Sequence, residues 1–408
     1  MRHARAWTGQ ASDRQLLVWT LLALVNLASA LVVWRTTDFA TMHVWASEWL
    51  WRGTDLFAGE AWGTDYPPPA IVVLAPIALL NVHVSAWLWA LLNVVLLTIV
   101  GVVSVRVMDA DTPWRPTWLF VATLFCWSAS RTLLQFTILS LACALASWRL
   151  SRTRPASAGV LLALALIKPQ VAAPYVLLMI ATSRWRVVMS SVATTVLLWA
   201  LYCLRAGVSP MAVAASFAGR LISMYSGPHA QVGVSELARL VPAGYEDVTG
   251  LFVALMLSLA LVATAVRVWM CSEPRRDRVS LLLPAAGAAA VLVACRHLSY
   301  AFVTLAPAAA WLLTTGAPLG RWPRRLFWAL QAGMIVDVPT AHRALVAAGW
   351  SARWADLVLP HADRVLLVVW TSVLLRLAWL TAGGVLGVGE MPSARTNEDY
   401  ERVDTAVA

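Results

Sequence analysis

Residues 149–186 read RLSRTRPASAGVLLALALIKPQVAAPYVLLMIATSRWR, a mostly apolar run at 156–181 between two arginine-rich loops. A full membrane crossing needs about 20 apolar residues, so this run is too short for two crossings. Short loops rich in Lys and Arg stay on the cytoplasmic side of a membrane. Since both flanking loops are basic, the chain must enter the bilayer, turn and return. Pro169 cannot continue a helix, which predicts the turn at Lys168-Pro169-Gln170.

Lys168 is the single lysine among the 31 Lys and Arg residues of the chain. An ionisable residue at a broken helix inside a membrane marks a functional site, because an isolated charge there is costly. The alternative is that the ammonium group extends to the outer headgroups while its apolar stem stays in the bilayer. The residues alone leave both interpretations open.

The composition of the whole chain is that of a membrane protein. Of its 408 residues 60% are hydrophobic and 13% charged, and the mean hydropathy is +0.71. Such a chain dissolves in a bilayer as helices, which satisfy their own backbone hydrogen bonds. This excludes the soluble, secreted, disordered and nucleic-acid-binding classes, and the lipid bilayer is the expected partner. We assign the net charge of +10 to short loops that meet anionic headgroups, not to nucleic acid.

Apolar runs recur along the chain and predict an all-α polytopic protein. They lie at about 15–34, 69–80, 84–105, 117–128, 132–148, 156–181, 187–204, 249–269, 279–295, 298–315, 326–336 and 362–381. If every run before Arg149 crossed the membrane, the basic loop at Arg149 would lie outside. One short run, which we expect to be 117–128, must therefore be a half-span. This predicts about 11 crossings (about 10–13) of the plasma membrane.

The basic loops also predict the sidedness of the rest of the chain. Residues 1–14 form a cytoplasmic N-terminus, residues 15–381 the transmembrane domain, and residues 382–408 a polar cytoplasmic tail. The longer outer loops are then 35–66, 205–248 and 337–361. In the first of them, apolar residues after Asp38 recur at helical spacing, which predicts an interfacial helix.

Asp38 follows the first apolar run almost at once, which places it at the membrane surface. A half-desolvated carboxylate is more basic than one in water, so Asp38 is a candidate general base. The alternative is that Asp38 caps the N-terminus of the interfacial helix. Both interpretations remain open at this point.

Neither a metal nor a cofactor is expected. The cysteines are scattered without CxxC spacing, which argues against metal and disulfide frameworks. Asp109-Ala110-Asp111 has the pattern of a metal-binding DxD, but in a short loop with Pro113 and Arg115 it predicts a solvated turn.

Several motifs in chain order resemble one known family. They are Asp38 after the first run, Gly53 with Leu56-Phe57, YPP at 66–68 with APIALL at 75–80, RTLLQ at 131–135, KPQ at 168–170 with SRWR at 183–186, and CRHLSYAFVTLAP at 295–307. Together they resemble the polyprenol-phosphate-sugar-dependent glycosyltransferases of family 87, which belong to the GT-C membrane superfamily and include actinobacterial α-mannosyltransferases. The resemblance covers roughly residues 15–315. The sequence departs from the family pattern at Leu134 (a glycine in most members), at Ala301 (often aspartate), and at Met42 and His43 (often aromatic).

This resemblance implies a GT-C fold and an inverting, metal-independent transfer outside the membrane. The sugar, most often mannose and sometimes arabinofuranose, would move from a polyprenyl-phosphate carrier to a hydroxyl of a glycolipid or polysaccharide acceptor. Asp38 would be the general base. The donor phosphate would be bound by Lys168, Arg131, Arg296 and His297. The sugar and acceptor would be bound by Gln135, Tyr66, His43, Tyr300 and Gln170.

Other interpretations stay open. Arg296 and His297 could cap two apolar runs, Gln135 and Tyr300 could hold helices together, and His43 could face headgroups. Within the same fold the enzyme could transfer arabinofuranose or act as a ligase on a pyrophosphate carrier. A lipid or solute transporter is the non-enzyme alternative, although the internal repeats typical of many transporters are not visible. A non-catalytic membrane scaffold is the third class.

Overall fold

The computed structural model describes residues 13–33, 38–58, 66–108, 112–126, 133–226, 246–271, 283–288, 303–314, 346–349, 351 and 371–380. Within these ranges all regular secondary structure is helical, which confirms the all-α prediction. The N-terminal segment 1–12, most of the third outer loop and the tail 382–408 lie outside the described residues.

The longer described helices are numbered in chain order. They are α1 (Asp13–Val33), α2 (Asp38–Arg52), α3 (Pro68–Ala78), α4 (Val82–Met108), α5 (Trp114–Cys126), α6 (Thr137–Leu150), α7 (Pro155–Ala165), α8 (Pro169–Ala181), α9 (Trp185–Ala206), α10 (Pro210–Ser226), α11 (Glu246–Trp269), α12 (Ala306–Thr314) and α13 (Thr371–Leu380). Several begin at a proline, whose missing N–H costs nothing in the first helical turn. The helix that we predicted after Asp38 is α2, so the helix is confirmed, while its position at the membrane interface remains a prediction.

Two of the described helices are long and apolar enough to cross a membrane, Val82–Arg106 and Trp185–Ala206. Their outward faces carry large exposed apolar side chains, such as Trp87, Leu91 and Val196. A contiguous apolar surface of this kind suits lipid contact and not water. The about 11 crossings that we expected are not confirmed by these two helices and remain a prediction.

Helices α6, α7 and α8 show that the chain enters, turns and returns. The Ser140 hydroxyl donates to the Ala165 carbonyl at 2.6 Å, so the start of α6 lies beside the end of α7. The Arg184 guanidinium lies 4.9 Å from the Trp148 ring centroid, so the loop after α8 returns to the loop before α7. Both arginine-rich loops therefore lie at one end of this helix group, and Lys168 at the other. The predicted broken helix is confirmed.

Helix α9 carries the chain from this arginine-rich end to the first outer loop. It starts after Arg184 and, with 22 residues, is about 33 Å long. At its far end the Arg205 guanidinium donates to the Leu50 carbonyl in the last turn of α2, with Nη2 at 2.7 Å. A cation there also suits the negative end of the α2 dipole. The first outer loop and the arginine-rich loops thus lie at opposite ends of α9.

The short run 69–80 forms α3, which packs on the first helix after Asp38. Residues of α3 pack against α2 along its length in one apolar cluster, and Leu80 just after α3 accepts a hydrogen bond from His43 of α2. Helix α5 lies beside α1 with their N-terminal ends together, since Arg115 pairs with Asp13 at 3.2 Å. Helix α5, which covers most of the run 117–128, has 13 residues, so the half-span that we expected there remains a prediction.

Gly159 allows α7 and α9 to pack at close range. A Cβ added to Gly159 would lie 2.7 Å from the Val187 carbonyl oxygen and would overlap the Ser190 side chain. The Ser190 hydroxyl donates across the same contact to the Ala156 carbonyl at 3.0 Å. Small residues at such a contact let two helix backbones approach within a membrane.

We expect Gly159→Ala to lower the free energy of unfolding by about 1–3 kcal/mol, because the methyl group must push the two helices apart. The matched control is Gly219→Ala in α10, where an added Cβ meets nothing within 4 Å. This control should be neutral or raise stability by up to about 1 kcal/mol. Unfolding followed by circular dichroism in detergent measures both variants, and equal shifts would contradict the prediction.

Candidate functional site

The Lys168 side chain is buried at the break between α7 and α8, with 4% of its surface exposed. Its Nζ donates to the Thr137 hydroxyl at 2.7 Å and lies 6.0 Å from the centroid of the Tyr66 ring. This burial rules out the alternative in which the ammonium group reaches the headgroups. A buried cation is stable only with hydrogen bonds and negative charge close by. The arrangement therefore suits the binding of an anionic group.

Four aromatic rings connect this cation to the start of α2. The Tyr66 ring lies 5.2 Å from Phe136, Phe136 lies 4.9 Å from Trp89, and Trp89 stacks on Phe39 at 5.6 Å. We call these four residues the aromatic bridge. Asp38 directly precedes Phe39 and is the first residue of α2, and its side chain lies outside the described part. The fold thus brings the start of α2 and Lys168, far apart in sequence, to the two ends of one aromatic group.

His43 anchors the turn between α3 and α4. Its Nε2 lies 3.1 Å from both the Leu80 carbonyl oxygen and the Ser85 hydroxyl. Because the Ser85 hydroxyl donates to Ile77 at 2.8 Å, it accepts from His43, which places the imidazole proton on Nε2. Burial lowers the pKa of His43, while the hydrogen bond to Leu80 opposes that change. The side chain is 7% exposed, so it does not face the headgroups.

The lowered pKa of His43 predicts that acid destabilises the protein. The unfolded chain binds a proton more readily than the folded one, so the stability due to neutral His43 is complete above the usual pKa of 6.5. That stability is lost as the pH falls below 6.5. We expect His43→Gln, which keeps a donor near the Nε2 position but does not titrate, to weaken the loss of thermal stability between pH 7 and pH 5. Parallel profiles for variant and wild type would contradict this prediction.

Asp55, an acidic residue just after α2, holds this segment of the chain in place. Its Oδ1 accepts from the Tyr202 hydroxyl at 3.2 Å and from the backbone N–H of Phe57 at 3.0 Å. The same Tyr202 hydroxyl accepts from the N–H of Leu56 at 2.9 Å. These bonds tie the segment after α2 to the end of α9. These partners give Asp55 a structural role.

The comparison with protein families agrees with these motifs. A family model described as glycosyltransferase family 87 matches residues 64–296. The chain belongs to glycosyltransferase family 87. As a member of that family it is a membrane glycosyltransferase, which uses a sugar donor and an acceptor. A search among curated proteins and a search among solved structures each found no match.

The match to family 87 includes some of the predicted site residues and not others. Tyr66, Gln135 and Lys168 lie inside the matched segment, whereas Asp38 and His43 precede it. Of the predicted residues inside the described ranges, Gln135 is 2% exposed and directly precedes the aromatic bridge. Gln170, by contrast, is exposed on the first turn of α8. Arg131, Arg296, His297 and Tyr300 lie outside the described residues, so their roles remain predictions.

The family 87 site also contains residues that the sequence analysis did not single out. Thr137, Phe136 and Trp89 contact Lys168, Tyr66 and Phe39, and Asn93 donates to the Leu133 carbonyl at 2.9 Å. Phe136 and Thr137 directly follow Gln135 in the sequence, and this adjacency was the available signal. Nothing in the apolar run 84–105 distinguished Trp89 from its exposed neighbour Trp87.

Within the described ranges no three His, Cys, Asp or Glu side chains are grouped so that they could hold a metal ion. Cys126, Cys143, Cys203 and Cys271 are free thiols. Asp109, Asp111 and Cys295 lie outside the described residues, so the turn predicted for the DxD segment remains a prediction.

Proposed function

We propose that the protein transfers mannose from a polyprenyl-phosphate carrier to a hydroxyl of a glycolipid or polysaccharide acceptor, with inversion at the anomeric carbon and without a metal. The observation that carries the proposal is the buried Lys168 ammonium, held by Thr137 at 2.7 Å at the break between two short helices. A cation fixed in a low-dielectric site stabilises the negative charge that grows on a departing phosphate. Membership of family 87 supplies the reaction class.

Asp38 is the proposed general base. Its carboxylate takes the proton of the acceptor hydroxyl while that oxygen attacks the anomeric carbon from the face opposite the phosphate. The bond between the anomeric carbon and the phosphate oxygen breaks, and the polyprenyl phosphate leaves with the electron pair. Lys168 then faces the new negative charge. The support is that the backbone of α2 starts at Asp38, next to Phe39 at one end of the aromatic bridge, while Tyr66 at the other end lies 6.0 Å from Lys168 Nζ.

We further propose that this reaction takes place on the extracytoplasmic side of the plasma membrane, in a multi-pass domain spanning 15–381. The support is that α9 separates the first outer loop from the arginine-rich loop at 184–186, and basic loops remain in the cytoplasm. The donor phosphate site would also include Arg131, Arg296 and His297, and the sugar and acceptor site would include Tyr66, His43, Tyr300 and Gln170. The tails 1–14 and 382–408 would be cytoplasmic.

The test is transfer of radiolabelled mannose from synthetic polyprenyl phosphate mannose to an alkyl mannoside, by the purified protein in lipid nanodiscs with EDTA present. We expect labelled product with an inverted anomeric linkage. The parallel reaction uses polyprenyl phosphate arabinofuranose at the same concentration. Product from the arabinofuranose carrier alone would overturn the choice of mannose, and turnover that EDTA abolishes would overturn metal independence. Product from neither carrier would overturn the proposed reaction.

A further inference from the structure

Three polar atoms beside the aromatic bridge are buried without a hydrogen-bond partner in the described part of the chain. They are Trp89 Nε1, Asn93 Oδ1 and Gln135 Oε1. The three residues are 3%, 0% and 2% exposed. An unpaired buried polar atom costs stability, so native proteins seldom keep one unless a ligand or an ordered water pairs it. These three lie where α4 packs against the segment before α6, so a ligand bound there would pair them.

The three side chains belong to one cluster. Trp89 and Asn93 are four residues apart on α4 and lie on the same face of that helix. The Asn93 amide nitrogen donates to the carbonyl oxygens of Leu133 at 2.9 Å and Gln135 at 3.5 Å. This orients the Asn93 amide, because a carbonyl accepts only from its NH2 group. Asn93 Oδ1 is thus left as an acceptor next to Gln135.

The chemistry of these atoms matches a neutral sugar and not a phosphate. Two carbonyl-type acceptors and one indole donor pair well with hydroxyl groups, which both donate and accept. A phosphate offers acceptor oxygens and would leave both acceptors unpaired. Gln135 is two residues from Thr137, the partner of Lys168, so their Cα atoms lie within about 7 Å. A hydroxyl-binding cluster therefore directly adjoins the cation site.

We propose that Trp89, Asn93 and Gln135 form the subsite that binds hydroxyl groups of the transferred sugar. The proposal rests on the function proposed above and adds Trp89 and Asn93 to the residues that select the donor. The indole N–H, which can only donate, donates to one sugar oxygen. The Asn93 and Gln135 oxygens accept from the O–H groups of sugar hydroxyls.

The experiment compares the binding of polyprenyl phosphate mannose with that of unsubstituted polyprenyl phosphate to the full-length protein in nanodiscs. Trp89→Phe removes the indole donor, and Asn93→Leu, with the same branching, removes the acceptor together with the amide donor to Leu133. We expect each to raise the Kd for the mannosyl carrier by about three- to tenfold. The Kd for polyprenyl phosphate should change less than twofold, because that carrier does not reach the subsite.

The matched control is Trp87→Phe on the same helix, whose side chain is 57% exposed and should leave both constants unchanged. Equal changes in Kd for the two carriers in Trp89→Phe would overturn the subsite. An unchanged Kd for the mannosyl carrier would also overturn it, and would assign the unpaired atoms to ordered water. A wild-type protein that binds neither carrier would instead overturn the proposed function. Trp89→Phe keeps a ring in the aromatic bridge, so it remains informative if Asn93→Leu does not fold.

Discussion

Asp38→Asn reduces kcat for sugar transfer by about 10³-fold, while the Kd for polyprenyl phosphate stays within about twofold of wild type. An amide is nearly isosteric with a carboxylate but cannot take the proton of the acceptor hydroxyl, so the chemical step slows. Binding of the carrier phosphate depends on Lys168, at the other end of the aromatic bridge, and is retained. The measurement is single-turnover transfer at saturating carrier, with binding determined separately.

The control for Asp38→Asn lies on the same helix. Glu48 is ion-paired with the exposed Arg52 at 3.2 Å, and Glu48→Gln removes one negative charge from α2 without touching the aromatic bridge. Surface pairs of this kind contribute little stability, so kcat should be within about twofold of wild type. Full activity in Asp38→Asn would exclude Asp38 as the base. Equal losses in both variants would show that the net charge of α2, and not a specific base, controls the rate.

Lys168→Met weakens the binding of polyprenyl phosphate and lowers kcat/KM by at least about 10²-fold, because the leaving phosphate loses its cation. Methionine is unbranched and fills much of the space of the lysine stem, so the packing around Thr137 is preserved. A buried ammonium is not a source of net stability, so the Tm without carrier should be unchanged or higher. Carrier affinity and thermal unfolding together measure these effects.

The thermal measurement separates a catalytic lysine from a structural one. A lysine that only holds α6 and α8 together would lower the Tm on replacement and leave the carrier affinity per folded molecule intact. Arg186→Met removes an exposed cation from the arginine-rich loop at the opposite end of α8 and serves as the control. Its carrier affinity should match that of wild type, since charges on that side do not face the donor phosphate.

The elements that the sequence predicted correctly depend on local chemistry. Pro169 breaks the helix whatever the tertiary structure, and the arginines at 149–154 and 184–186 favour positions outside the hydrocarbon. The return of the chain after Lys168 therefore follows from the residues themselves. The helix after Asp38 likewise follows from the spacing of its apolar residues. The motifs at Tyr66, Gln135 and Lys168 indicated the family for the same reason, because each is continuous in sequence.

Tertiary structure alone decided which residues meet. Thr137 contacts Lys168 from another helix, Trp89 joins Phe39 to Phe136, and α3 packs along α2. Apolar runs of similar composition do not encode these contacts. Trp87 is exposed and Trp89 is buried, yet the two side chains are chemically identical. The difference between them is set by which helix face packs inward, and that depends on the steric fit of distant segments. The sequence therefore determined that a lysine lies at a helix break, and only the packing of the helices determined which side chains surround it.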